Sequence, residues 1–323
     1  MGRRCVTIAV LAALCPSAQA QDWPTRPVTL LVAAAAGGPI DTLGRIMAER
    51  MSPRLGQRVL VENAGGSGGL VGGQRVVKAT ANGYTTLLGT VATHANPQLH
   101  ADKPPYDPVT DLVPVALIAE IPLVLVARKS LPVNTLEEFV AYAKKHQAGM
   151  NFGSAGVGSA SHLGCVMLQR AVGVTIQHLP YRGTAPAMLD LIGGRLDFVC
   201  EIAVTAIPNI KAGSVKPLAN LSALRSAALP DLQTAGEQGF PSVQAYTWVA
   251  LFAPKGTPAP VVAKLQAATV AAMDSPGLRD QLAGLAATLV APERRSSEYL
   301  AGFVKSEFVK WGEAIRAGGA LPK

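Results

Sequence analysis

The stretch FGSAGVGSASH, residues 152–162, sets three glycines and three serines ahead of a histidine, and Cys165 follows one helical turn later. Several chemistries use such material. A phosphate-binding P-loop reads GxxxxGK[ST]; Gly153 and Gly158 have that spacing, but Ser159 stands where a lysine must reach the terminal phosphates. A dinucleotide fingerprint needs glycine or alanine where Ser161 stands, and no acid is suitably placed after the next strand. A GxSxG nucleophile elbow is absent from the stretch. A hydrolase built on Ser159 or Cys165 with His162 is the enzymatic alternative. Against it, no third group is evident to orient the imidazole, and His162 reads as a helix-start residue with Cys165 turned to the core. What remains are the hydroxyls of Ser154, Ser159 and Ser161, free loop N–H groups and a helix dipole, a set suited to a carboxylate without a fixed cationic side chain. An ordinary N-cap beside flexible glycines is the plainer reading of the same residues.

Positioning such a loop requires strands and helices in alternation. Strand-length apolar runs occur at 28–33, 59–62, 85–88, 113–119, 123–127, 150–154, 175–181, 196–200, 215–221, 248–253 and 288–290. Helical patterns lie between most of them: Leu43, Ile46, Met47 and Met51 share one face, and Leu136, Phe139, Val140 and Ala143 another, behind a Thr135-x-x-Glu138 capping box. Leu300, Val304, Phe308, Trp311 and Ile315 form the stripe of a long final helix. The alternation predicts an α/β protein with helix-covered parallel sheets, which bind ligands at the carboxyl ends of their strands. Five small, polar loops follow strands there: Gly37-Gly38-Pro39, the run 64–69, Thr90 to His94, the opening stretch and Arg182-Gly183-Thr184. Backbone N–H groups converging on one anion would need loops of this kind.

The first twenty residues place Arg3 and Arg4 before the apolar run Val6 to Leu14 and an Ala18-Gln19-Ala20 site, the order of a secretory signal peptide cut after Ala20. Two rival readings are a twin-arginine signal and a lipid-attachment site at Cys15, where Leu14 is bulkier than such a site wants. Removing residues 1–20 takes away two arginines and no acid, lowering the formal charge from +8 to +6. The cations are scattered and aromatics are few, which argues against nucleic acid. The remaining Cys165 and Cys200 sit in apolar runs; an exported compartment permits a disulfide, but buried free thiols are the expectation. No CxxC or HxxxH appears, so no zinc site is expected.

Taken in order, these loops resemble the extracytoplasmic solute-binding receptors of the tripartite tricarboxylate transporter system, the Bug family, over essentially the whole mature chain. The resemblance is carried by the mature start Trp23-Pro24-Thr25-Arg26-Pro27, Gly37-Gly38 with Asp41, Val61-Glu62-Asn63, Gly83-Tyr84-Thr85-Thr86 and Thr93-His94-Ala95. It continues through Pro105-Tyr106-Asp107-Pro108, Ser154-Ala155-Gly156, Ser161-His162-Leu163, Pro180-Tyr181-Arg182-Gly183 and Leu191-Ile192-Gly193-Gly194.

The resemblance implies a type II periplasmic-binding-protein fold: two α/β lobes, a ligand cleft between them and two crossing strands as hinge. The lobes are expected at 21–123 with 222–323, and at 124–221. It implies a monomer without a cofactor that captures a small carboxylate (a di- or tricarboxylate, an acidic amino acid or an aromatic acid) and delivers it to a membrane permease of the same system. Feeding a signalling receptor is an alternative use of the same closed state. Carried over by position, the first lobe offers Ala36, Gly37, Gly38, Thr90 and Thr93; the second offers Ser154, Ala155, Gly156, Ser159, Tyr181, Thr184, Ala185 and Glu201. Two departures stand out. Ala33 to Ala36 replace the usual aromatic and prolines, which widens the pocket, and Glu201-Ile202 replaces an aspartate with a small polar neighbour. Glu201 is either a contact for a ligand amino or hydroxyl group or a salt-bridged acid near the hinge.

Overall fold

The computed structural model describes residues 23–100 and 103–317. The expected signal peptide and its cleavage site lie outside the described residues.

The first part of the chain alternates β1 (Val28–Val32), α1 (Pro39–Leu55), β2 (Val59–Asn63), α2 (Leu70–Val77), β3 (Thr85–Thr90) and the short α3 (Val91–Ala95). Pro39 occupies the first turn of α1, where its missing N–H costs nothing, and left-handed Gly56 ends the helix. The long β4 (Leu112–Arg128) leads into α4 (Leu136–His146), β5 (Asn151–Ser154), α5 (Ala160–Val172), β6 (Gln177–Pro180), α6 (Thr184–Ile192), β7 (Phe198–Ile202), α7 (Ala203–Lys211) and β8 (Val215–Asn220). The chain returns through β9 (Tyr246–Pro254), α8 (Ala259–Met273), α9 (Leu278–Ala283), β10 (Thr288–Leu289) and α10 (Ser297–Ala317). Thr135 caps α4 by accepting the Glu138 N–H at 3.1 Å, while Glu138 reaches back one residue further than expected, to the Asn134 N–H at 2.6 Å.

Two lobes share one strand. In the first, β2-β1-β3 run parallel, and β9 joins β3 and β4 antiparallel. In the second, β7-β5-β6 run parallel, and β7 and β8 flank the far end of β4 antiparallel. The sequence suggests two strands at 113–119 and 123–127; the structure makes them one. β4 changes partner at Pro122, pairing with β9 up to that residue and with β7 from Leu123. A proline, lacking an N–H, is tolerated where a ladder ends. At this crossing Leu221 donates to Leu123 O at 2.8 Å and Ala245 to Leu221 O at 2.6 Å, so three segments meet.

One core cluster fills the first lobe, with Trp248, Phe252 and Trp311 fully buried; two others cover opposite faces of the second lobe's sheet. The expected end of the second lobe at 221 differs from the packing: Ala235, Val243 and Ala245 belong to a second-lobe core, because residues 222–245 fold back over that sheet before β9 crosses. The free-thiol expectation is also corrected. Cys165 of α5 and Cys200 of β7 form a disulfide with Cα atoms 5.3 Å apart, since α5 packs directly on β7. On the stripe of α10, Glu307 is buried but satisfied, accepting the indole N–H groups of Trp248 at 3.0 Å and Trp311 at 2.8 Å.

Candidate functional site

Loops at the carboxyl ends of β1, β2 and β3 face loops after β5, β6 and β7 across a cavity of about 730 Å³. The first lobe lines it with Ala33 to Ala35, Gly65 to Gly69, Thr90, Ala92, Asn96, Leu99 and His100. The second lobe contributes Ala155 to Val157, Ser159 to Ser161, Tyr181 to Thr184 and Ile202. No Asp or Glu is among these residues, and the basic ones are His100 and Arg182, both exposed. Among the described residues, the N–H groups of Gly65, Gly66, Val157, Arg182 and Gly183 donate to no other atom of the chain. The start of α5 also opens onto the cavity at Ala160 and Ser161. Unspent N–H groups, a helix N-terminus and the lack of carboxylates favour an anion.

Of the residues named from sequence, Thr90, Ala155, Gly156, Ser159, Tyr181 and Thr184 line the cavity. Ala36, Gly37, Gly38, Thr93, Ser154, Ala185 and Glu201 are outside the lining, and for most the reason is a bond made elsewhere. Gly37 gives its N–H to Asp41 Oδ2 at 2.8 Å, and Gly38 is the N-cap of α1, its carbonyl accepting the Thr42 N–H at 3.0 Å. Asp41 also takes Asn63 Nδ2 at 3.0 Å and Arg45 Nε at 3.1 Å, tying the loop after β1 to the end of β2. Burial pushes its carboxyl up, but these hydrogen bonds win and hold it below its ordinary value. Thr93 closes a capping box with Thr90 and is fully buried.

The serines of the opening stretch act mainly as braces. Ser154 Oγ accepts the Gly156 N–H at 3.1 Å and lies 2.6 Å from His178 Nε2. Ser161 Oγ takes the Ala155 N–H at 2.9 Å, and Ser159 caps α5 through the His162 N–H at 3.2 Å. His162 Nδ1 accepts the Gly158 N–H at 3.2 Å, and its ring stacks on His178 with centroids 4.1 Å apart. Burial, reinforced by His178, lowers His162 to about 3; burial lowers His178 to about 4, so both rings are neutral near pH 7.

These bonds dismantle the hydrolase arrangement. Cys165 is in the disulfide, Ser159 Oγ donates to Gly156 O at 2.6 Å, and the His162 ring nitrogen that would act as base is engaged by a backbone N–H. The loop 65–69 does spell GxSxG about Ser67, but Ser67 Oγ makes no hydrogen bond to a histidine among the described residues. Tyr181 at the rim donates its hydroxyl to Asp190 at 2.7 Å, and burial together with Asp190 raises the phenol to about 12. Glu201 is fully buried. Its Oε1 accepts from the Ile202 N–H at 2.9 Å and from Thr205 at 2.6 Å, while Oε2 has no partner. Burial pushes this carboxyl up to about 7 against the pull of those two donors.

The residues missed by the site reading are chiefly Gly65 to Gly69 and Asn96. The glycine run is visible in the sequence as one of the five loops; Asn96 follows a helix of five residues and has no distinguishing neighbour. Among the described residues no group of three or more His, Cys, Asp or Glu could hold a metal, and no helix is long and apolar enough to cross a membrane.

Two lobes joined by crossing strands around an anion-suited cavity define the periplasmic-binding-protein fold. The alkanesulfonate-binding protein SsuA of Xanthomonas axonopodis pv. citri shares that fold at 15% identity and a TM-score of 0.52, over 93% of this chain and 95% of its own. More narrowly, the chain belongs to the tripartite tricarboxylate transporter family of receptors, whose model matches residues 43–320. BugT of Bordetella pertussis is 32% identical over 97% of this chain and 95% of its own length. MatC of Rhodopseudomonas palustris, solved with bound malate, is 39% identical with a TM-score of 0.84, over 91% of this chain and all of its own. A second R. palustris protein, solved with adipate, is 32% identical with a TM-score of 0.82, over 92% of this chain and 98% of its own.

Proposed function

We propose that this chain is an exported receptor that closes its two lobes around one small carboxylate and delivers it to a membrane permease of the tripartite tricarboxylate type. The observation that carries the proposal is the cavity itself: about 730 Å³, without a carboxylate in its lining, and faced by glycine loops with unspent N–H groups. Malate and adipate, found in the two relatives described above, are the ligand sizes to test first. The Ala33 to Ala35 wall gives room for an aliphatic or aromatic spacer. No covalent step is proposed, and the receptor acts as a monomer in the periplasm once residues 1–20 are removed. The lobes are taken as 21–123 with the return segment and 124–221 with the residues packed on it.

Binding to the folded state raises stability by about 2.7 kcal/mol at a ligand concentration one hundred times Kd. For a chain of this size that corresponds to roughly 4 °C in melting temperature. Thermal scans of the exported chain with malate, adipate, citrate and glutamate are expected to show such a rise for at least one acid and none for its diamide. No rise with any carboxylate overturns the proposal.

A further inference from the structure

The two glycine loops touch each other, and one side chain joins them. Asn96, 2% exposed, directs Nδ2 to Ser67 O at 2.5 Å and Gly68 O at 3.3 Å in its own lobe, and to Val157 O at 3.4 Å in the other. Three carbonyl oxygens around one amide end fix its orientation, since only the nitrogen can donate. The contact excludes side chains on both sides. A Cβ on Gly68 would lie 2.6 Å from Val157 O, a backbone atom of the opposite lobe, and one on Gly158 would lie 2.6 Å from Asn96 Nδ2 and 2.8 Å from Leu99. Both glycines also have positive φ, +59° and +76°.

We infer that Asn96, with Gly68 and Gly158, is an inter-lobe latch: a positioning group that holds the closed arrangement and completes one wall of the ligand cavity. The inference rests on the proposed lobe closure and adds the residues that stabilise it. Opening the cleft returns Val157 O to water, so the latch adds a modest bias toward closure, while the ligand supplies the rest. Asn96 also braces the Ser67–Gly68 turn in either state, which leaves Val157 O as the acceptor that changes on closure.

The test is a distance measurement between spin labels on exposed positions of the two lobes, with Val71→Cys on α2 and Leu189→Cys on α6, in the exported chain. Asn96→Asp keeps the shape but turns a carboxylate oxygen toward three carbonyls, and Gly158→Ala wedges the contact from the other lobe. Gly56→Ala is the control: φ is +69° there, similar to Gly158, with nothing within 4 Å. Asn96→Asp and Gly158→Ala are expected to shift the distribution to longer distances, with and without malate or adipate, and Gly56→Ala to match the wild type. A closed fraction reduced to a tenth lowers apparent affinity about tenfold. Distributions unchanged in both variants overturn the latch, as does a Gly56→Ala shift as large as that of Gly158→Ala. If none of malate, adipate, citrate and glutamate binds the wild type, the carboxylate reading fails by itself, because the ligand-free distances still decide the latch.

Discussion

The loops that face each other across the cavity are built by opposite means. After β5, side chains do the work: Ser154, Ser161 and His162 each accept a backbone N–H, and Ser159 caps the helix that follows. After β2, the loop's own backbone does it, with Asn96 bracing it from outside: Gly66, Ser67, Gly68 and Gly69 all have positive φ, and neither the turn at Ser67 nor the start of α2 has a side-chain cap. The braced loop has used several of its own N–H groups, whereas the glycine loop keeps those of Gly65 and Gly66 unspent. Serines that look like ligand contacts therefore stiffen the loop after β5, which keeps the Val157 N–H unspent, whereas the loop that looks featureless offers two adjacent donors.

The sharpest way to break this contrast is to unfasten the braced lobe. The Cys165–Cys200 bond closes a separation of 35 residues and ties α5, which carries the braces, to β7. On the chain-entropy account such a link is worth about 4 kcal/mol. Cys165→Ala with Cys200→Ala is expected to lower the denaturation midpoint accordingly, and a loss under about 1 kcal/mol would show that the braces hold α5 without it. Next is His162→Ala, which removes the acceptor for Gly158 and the stacking partner of His178. A buried partner lost in this way costs about 3 kcal/mol, seen in urea unfolding, and carboxylate affinity is expected to fall with it.

How far the sequence carries toward this picture depends on the reach of each signal. Alternating apolar runs locate the strands, and Pro39 and Thr135 locate helix starts, because these signals act within a few residues. The lobe crossing is harder to see. Pro122 reads as a break between two strands and turns out to be the point where one strand changes neighbours, a fact set by residues more than a hundred positions away in β9. Cys165 and Cys200 fail for the same reason, since only the packing of α5 on β7 brings them together. Within the site, Gly156 and Ser159 are legible as glycine and cap. Gly37 and Gly38 have the same composition as the 65–69 run but spend their backbone groups on α1 and Asp41. Composition reports which loops can donate, and the hydrogen bonds decide which still do.

Glu201 gives a pH axis on which the braced lobe can be read. Its folded carboxyl is held up at about 7 by burial, so between roughly pH 4.5 and 7 the native state carries a proton that the unfolded chain has released. Stability from this group is present at and below the unfolded value and is lost as pH rises through the folded one, on the order of 3 kcal/mol in all. His162 and His178 act in the opposite sense: their lowered values make the native state resist protonation, so stability is lost as pH falls from 6.5 toward 4. Glu201→Gln is expected to remove the first slope and leave the second, measured as melting temperature against pH. An unchanged profile between pH 4.5 and 7 would place the Glu201 proton elsewhere.

The smallest effect separates the two loops most directly, because it concerns one serine in each. Ser159 accepts the His162 N–H and donates to Gly156 O, so Ser159→Gly loses a few tenths of a kcal/mol at the cap together with the bond to Gly156 O, and is expected to cost about 1 kcal/mol in all. Ser67 sits at φ +46° without a side-chain hydrogen bond at its turn, a conformation that glycine adopts freely. Ser67→Gly relieves that strain but enlarges the unfolded ensemble, and the balance at a left-handed position favours the folded state by up to about 1 kcal/mol. The same chemical change is thus expected to move the two melting temperatures in opposite directions. If both fall, the loop after β2 depends on its side chain as much as the loop after β5, and the division of labour between the lobes is wrong.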